Sequence, residues 1–253
     1  MKSSSRLGIS GSPAKKCEEM DGEMTELSED TVVPFSKMRK LIADRLTRSK
    51  QTIPHFYLSV DIDMSEALVV RASFNAENET RISVTDMLVK AVANALSQYR
   101  RMNCHVSDDS LVMKKNINIG IAVSIEDGLL VPVIPDADRK DLTEIASISR
   151  KKISDAKRGV IDPRVVGTFT ITNLGMFGVS EFLPIIKPPE CAILAAGSTG
   201  KKPVVKNDQL CIRDMMVLSL ACDHRAVDGA YAGQFLNHIK DILENPRALY
   251  REK

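Results

Sequence analysis

In "FSKMRKLIADRLTRSK" the apolar residues Phe35, Met38, Leu41, Ile42 and Leu46 recur at helical spacing, while Lys37, Arg39, Lys40, Arg45 and Arg48 take much of the remaining surface. The pattern predicts an amphipathic helix with a basic side. "HFYLSVDID" is rich in strand formers, and "MSEALVVRASF" returns to helical character. "SVTDMLVKAVANALSQY" opens with Ser83 and Asp86 in capping-box spacing, then repeats Val84, Met87, Leu88, Ala91, Val92, Ala95, Leu96 and Tyr99 along one helical face. "NINIGIAVSI" alternates, placing Ile117, Ile119, Ile121, Val123 and Ile125 on one face, and "EDG" turns it into "LLVPVIP". A hairpin is predicted there, with Pro132 holding the second strand to an edge or a break in the ladder.

"DLTEIASISRKKISDAKRG" reads as a helix capped by Asp141 and stopped by Gly159. Strands follow in "GTFTIT", "CAILAAG", the hairpin "KPVV" to "LCIRDM" around "KNDQ", and "MMVLSLA". The last helix, "AYAGQFLNHIKDIL", sets Ala232, Phe235, Leu236, Ile239, Ile242 and Leu243 on one face. This mixed order with hairpins predicts an α/β (α+β) sandwich, with helices covering a mixed, largely antiparallel sheet.

Composition narrows the class. With 253 residues, 43% of them hydrophobic, the chain has enough apolar surface for a sizeable core. Residues 1–30 are Ser/Gly-rich and then acidic, which predicts a disordered linker or tail, and no second linker follows, so 31–253 reads as one domain. The 35 Lys+Arg nearly balance 33 Asp+Glu, so no nucleic-acid or membrane partner is predicted. Apolar runs such as "CAILAAG" fall far short of the roughly 20 residues of a membrane span. Five cysteines without C-x-x-C spacing read as reduced thiols, and "MKSSSRLGISGSPAKK" lacks the apolar centre of a secretory signal. Its Ser content, with no acid before Glu18, faintly resembles an organellar transit peptide, although a solvated linker or tail is the commoner case. The expected compartment is the cytoplasm if the chain is bacterial or the mitochondrial matrix if it is eukaryotic, and secretion is not expected.

The candidate chemistry lies in "LSLACDHRAVDGAYAGQF", where a buried strand delivers the chain to a helix. From position alone, Asp228 reads as the helix cap and His224 as a structural histidine. In "GTFTITNLGMFG", Thr168, Thr170 and Thr172 share one face of a strand, leaving Thr172 beside a glycine turn. Threonine is also simply a good strand former. Cys222 and His224, two residues apart on a strand, share a face and would suit a thiol enzyme, although a buried packing cysteine is the commoner case. Asp223 and His224 have no third ligand at recognisable spacing, so no metal is expected.

The H-x-x-x-D-G pattern, together with "MRKLIADRLTRSKQTIPHFYLSVDIDM", "NINIGIAVSIEDGLLVPVIPDAD", "GTFTITNLGMFG" and "PPECAILAAG", resembles the catalytic domains of the dihydrolipoamide acyltransferases, the core components of 2-oxoacid dehydrogenase complexes. The resemblance runs from about Val33 to about Pro246 and is nearest to acetyl-transferring members of pyruvate dehydrogenase complexes. It implies a chloramphenicol acetyltransferase-like fold and a homotrimer that builds a cubic or dodecahedral core. It also implies an active site between subunits, the histidine coming from one and the hydroxyl from its neighbour. His224 then matches the catalytic histidine, Asp228 the aspartate of its motif and Thr172 the Ser/Thr hydroxyl. Arg39 is the candidate partner of Asp228, or a contact of a coenzyme A phosphate.

The implied reaction passes an acyl group between dihydrolipoamide and coenzyme A, both substrates, with no metal. A thiol of pKa ~8.5 is only a few per cent ionised at neutral pH, so an imidazole base is useful, and a fixed hydroxyl can donate to the tetrahedral oxyanion. The lipoyl and partner-docking segments usual in the family have no counterpart in residues 1–30, so the lipoyl group would come from another domain or chain. The dehydrogenase components (E1 and E3) are partners by resemblance only. Condensation domains of peptide synthetases, which share the general fold, carry a second histidine where this chain has Asp223. A scaffold relative without catalysis would be expected to lack the histidine or the hydroxyl, and both are present.

Overall fold

The computed structural model describes residue 30, residues 32–126 and residues 128–250. The linker expected over 1–30 therefore lies, but for Asp30, outside the described residues, as does Cys17. From Phe35 onward the chain forms one compact unit. Its elements are α1 (Lys37–Thr52), β1 (His55–Asp63), α2 (Ser65–Glu77), α3 (Val84–Gln98), β2 (Cys104–Val106), β3 (Leu111–Met113), β4 (Ile119–Ile121), β5 (Val123–Ile125), β6 (Gly128–Leu130), β7 (Val133–Ile134), α4 (Leu142–Lys157), β8 (Phe169–Asn173), β9 (Ala192–Ala196), β10 (Gly200–Lys206), β11 (Gln209–Asp223) and α5 (Gly229–Glu244).

The main sheet runs β1-β11-β9-β8-β4-β7, with β10 also paired to β11. β8 lies parallel to β9 and to β4, and the other pairings are antiparallel, so the sheet is mixed as expected. Two expected strands merge: "LCIRDM" and "MMVLSLA" are one 15-residue strand, because β11 continues from pairing β10 to pairing β1 and β9. One expected strand splits. In "NINIGIAVSI", β4 joins the main sheet while β5 leaves it to form a hairpin with β6, and the second arm breaks at Pro132 before β7. The "KNDQ" turn is tight, with Asn207 and Asp208 both left-handed at φ 52° and 59°, the geometry of a type I′ hairpin.

Helix ends follow local chemistry. Ser83 and Asp86 form a reciprocal capping box on α3, and Asp141 and Glu144 form one on α4. Gly159, at φ +79°, takes the left-handed conformation just beyond α4. On α5, Ala232, Phe235, Leu236, Ile239 and Leu243 are buried and Ile242 is half-buried, as the periodicity required. Burying Phe235 fully contributes roughly 1.5–3 kcal/mol.

Strand alternation gives the sheet two different faces. Phe56, Leu58, Phe169, Ile171, Leu194, Leu218, Leu220 and Cys222 pack into the main core beneath the helices. The opposite face carries Thr170, Ile193, Ser219, Ala221 and Asp223, with Ile53 and Ile186 packed over part of it. α1 is amphipathic as expected, but Met38, Leu41 and Leu46 remain 38–47% exposed, so its apolar face is not spent on the core of its own chain.

Candidate active site

β11 ends at Asp223, and the turn that follows carries His224. Asp223 is fully buried and holds this turn by four bonds: its Oδ1 accepts from Arg225 N at 3.0 Å and Nε at 3.0 Å, and its Oδ2 from Nε at 3.2 Å and Nη2 at 2.7 Å. Ala226 N and Val227 N also donate to the Asp223 carbonyl. Such a fork fixes geometry as well as charge. His224 N donates to the Pro54 carbonyl at 3.1 Å, and its ring lies tilted on Phe56 with centroids 4.8 Å apart. The His224 side chain is exposed, and among the described residues no hydrogen bond engages either ring nitrogen. The result is an exposed imidazole on a rigid support with neither nitrogen engaged among the described residues.

Asp228 caps α5, Tyr231 N donating to its Oδ1 at 2.9 Å. Arg39 lies exposed near the start of α1 and is not joined to Asp228 by any bond among the described residues, so the expected pairing is not made within one chain. The strand that reads as three equivalent threonines differentiates them. Thr168 exchanges bonds with the backbone of Asn118, accepting from N at 3.0 Å and donating to O at 3.2 Å. Thr170 donates to the buried carboxylate of Glu190 at 2.6 Å. Thr172, half-buried at the strand end, has no hydrogen-bond partner for its hydroxyl among the described residues, and so is the one of the three left unengaged.

Within one chain Thr172 and His224 do not meet. Thr172 pairs Ala195, which pairs Ser219, so Thr172 sits two strands away and level with a residue five positions before His224. At strand dimensions that is roughly 17 Å along β11 and roughly 10 Å across, about 20 Å in all.

Cys222 does not form a thiol centre with His224. It points into the core, fully buried, and burial pushes its thiol far above the ordinary cysteine range. Its neutral, enclosed sulfur is not a nucleophile. Cys104, Cys191 and Cys211 are free thiols as well. Among the described residues, no group of three or more His, Cys, Asp or Glu could hold a metal ion.

Sequence reasoning missed the Asp223–Arg225 fork and His55, which pairs Asp223 across β1 and β11. The residue types "DHR" hinted at the first, whereas His55 gave no signal. Ile186 N donates to His55 Nε2 at 3.2 Å, so Nδ1 carries the proton given to the Ile53 carbonyl at 2.9 Å. Burial is the largest influence and lowers the pKa of His55 below the ordinary 6.5, and the same holds for His105, whose ring bonds the Gly167 carbonyl at 2.9 Å. Folding therefore favours the neutral rings. Their contribution is complete above 6.5, the unfolded value, and is lost as pH falls below it towards the folded pKa values, since the unfolded chain binds protons first. Thermal melts between neutral pH and pH ~5 should show Tm falling over this window, and the fall should be smaller in a His55→Asn/His105→Asn variant. An equal fall in that variant would contradict the assignment.

The family described as 2-oxoacid dehydrogenases acyltransferase (catalytic domain) matches residues 27–251. The chain is 40% identical over 221 residues to a dihydrolipoyllysine-residue acetyltransferase component of the pyruvate dehydrogenase complex from Rickettsia felis, covering 85% of this chain and 54% of that protein. It thus spans about half the length of the curated relatives it matches. A crystal structure of a probable dihydrolipoamide acetyltransferase from Listeria monocytogenes superposes with a TM-score of 0.81 at 36% identity, covering 85% and 95% of the two chains. A dihydrolipoamide acetyltransferase from Azotobacter vinelandii, studied for the role of a serine, a histidine and an asparagine in its catalytic mechanism, gives 0.84 at 31%, covering 90% and 97%. The cubic core of a pyruvate dehydrogenase multienzyme complex gives the same figures. Chloramphenicol acetyltransferase, at 16% identity and a TM-score of 0.50 over 79% and 94% of the chains, shares the fold.

Proposed function

The chain belongs to the 2-oxoacid dehydrogenase acyltransferase catalytic-domain family, and from that premise we propose that it transfers an acetyl group between coenzyme A and a dihydrolipoyl group. The observation that carries this reading is the unengaged His224 imidazole on a turn clamped by Asp223 and Arg225. The serine, histidine and asparagine named for the Azotobacter protein are spaced along their chain as Thr172, His224 and Asp228 are along this one, which supports carrying the roles over. The retained imidazole and hydroxyl argue against a purely scaffolding role.

In the proposed mechanism His224 takes the proton of the attacking thiol, whether that thiol belongs to coenzyme A or to dihydrolipoamide. The thiolate adds to the thioester carbonyl, and the free hydroxyl of Thr172 donates to the oxyanion that forms. As the tetrahedral intermediate collapses, the departing sulfur recovers the proton from the imidazolium. Asp228 keeps α5 capped through Oδ1 and leaves Oδ2 to orient the site. Coenzyme A phosphates require cations, and Arg39 with its basic neighbours on α1 is exposed to provide them. No metal is needed in any step.

The separation of Thr172 from His224 calls for a second copy of the chain to supply the missing half of each site. The apolar residues left exposed on α1 are consistent with contacts between copies. A homotrimer built into a larger core, served by lipoyl groups and dehydrogenase components from elsewhere in a pyruvate dehydrogenase complex, is the assembly this reading implies.

The test is acetyl transfer from acetyl-CoA to dihydrolipoamide by the purified chain, with a Cys222→Ala variant alongside. Both are expected to turn over at rates within a few-fold of each other. No transfer above the uncatalysed rate would defeat the proposal, and loss confined to Cys222→Ala, with its fold retained, would restore the thiol mechanism.

A further inference from the structure

The geometry points to a binding site for a small organic phosphate in the cleft between α2, α3 and α4, apart from the acyl-transfer residues. A cavity of about 610 Å³ opens there, a size suited to a small ligand. Four cations stand on its wall: Arg71 from α2, Arg81 from the connection to α3, and Arg150 and Lys157 from α4. None of the residues lining it belongs to the His224 turn or to β8.

Two of the cations are fixed by backbone oxygens. Arg71 Nε donates to the Ile82 carbonyl and Arg150 Nη2 to the Arg81 carbonyl, each at 2.9 Å. Each bond uses one donor of a five-donor guanidinium and leaves others for an incoming oxyanion. The loop that carries Arg81 is itself stitched down, because Ile82 N donates to Asn75 Oδ1 at 2.7 Å and Asn75 Nδ2 donates to the Ile82 carbonyl at 3.0 Å. A ligand would therefore meet two guanidiniums, those of Arg71 and Arg150, already held in place, which lowers the entropy cost of binding.

The one carboxylate on the wall does not account for this charge. Asp86 is almost fully buried, and its Oδ2 accepts from Ser83 N at 2.8 Å and Ser83 Oγ at 2.6 Å. Its Oδ1 has no hydrogen-bond partner among the described residues. Cations that neutralise a buried carboxylate at close range form ion pairs with it. None of the four does, and none is ion-paired elsewhere among the described residues. Four like charges around one opening repel one another, and an anion bound between them would offset that repulsion. Ile82, Ala146 and Ile153 add an apolar floor for the carbon part of the ligand. Together these features suit a phosphate monoester on a compact organic group, such as a nucleoside monophosphate.

Calorimetric titration of the purified chain with AMP, and separately with inorganic phosphate, tests the site. Saturable binding of AMP is expected, tighter than that of phosphate and weakened by added salt. The Arg81 and Lys157 side chains make no hydrogen bond among the described residues, so an Arg81→Ala/Lys157→Ala variant should fold normally and bind AMP about ten-fold or more weakly. Arg81→Glu/Lys157→Glu should abolish binding, while the KM for coenzyme A stays unchanged in both variants. Absence of saturable AMP binding, binding indifferent to these substitutions, or AMP no tighter than phosphate would overturn the proposal. So would a raised KM for coenzyme A in the variants, which would assign the cations to that substrate instead.

Discussion

His224→Ala is expected to lower kcat for acetyl transfer about 10²- to 10⁴-fold, the usual contribution of a positioned general base. The loss should fall mainly on kcat, with KM for both thiols changed far less, because a general base acts on the thiol proton in the transition state. The turn should survive the substitution, since Asp223, Arg225 and the backbone of residues 223–227 hold it without the imidazole. Raising pH should rescue part of the activity as the substrate thiol ionises by itself near its pKa of ~8.5. Steady-state kinetics across pH, with melting curves of both proteins, would decide the matter. A variant that keeps wild-type kcat excludes His224 as the base.

Thr172→Ala is expected to cost about 10²- to 10³-fold in kcat, the range for removing one oxyanion donor. Thr172→Ser, which keeps the hydroxyl, should restore most of the rate, and this separates hydrogen bonding from strand packing. The same variant tests where the site lies. If His224 acts with Thr172 of another copy, neither His224→Ala nor Thr172→Ala chains are active alone, yet mixed assemblies contain interfaces with both groups intact. Random one-to-one co-assembly should recover about a quarter of wild-type activity if each site is shared by two subunits. Mixing that recovers nothing, although mass spectrometry shows mixed assemblies, would require the two groups to meet within one chain. Their strand positions speak against that.

Much of the local architecture was legible because its causes are local. Ser83 with Asp86, and Asp141 with Glu144, cap helices from three residues away. The alternation in "GTFTIT" separates Phe169 and Ile171 from the three threonines whatever the sheet does next. Boundaries that depend on distant partners were harder. "LCIRDM" and "MMVLSLA" read as two strands, yet β11 runs straight through their join at Met215 because β10 and then β1 satisfy its backbone. "NINIGIAVSI" looks continuous, yet divides because β8 and β7 claim its first half and β6 its second.

By itself the sequence determined the element types, the caps, the hairpin turns and the block pattern that marks the family, since periodicity and capping act over two to four residues. It also placed Asp228 correctly at the start of α5. Only the tertiary structure decided which groups are available for chemistry. Thr168 and Thr170 are consumed by Asn118 and Glu190, leaving Thr172 open, and Cys222 is sealed in the core while His224, two residues on, is exposed. Availability of a side chain depends on partners 20 to 50 residues away. Those partners are set by packing, which no short-range pattern encodes.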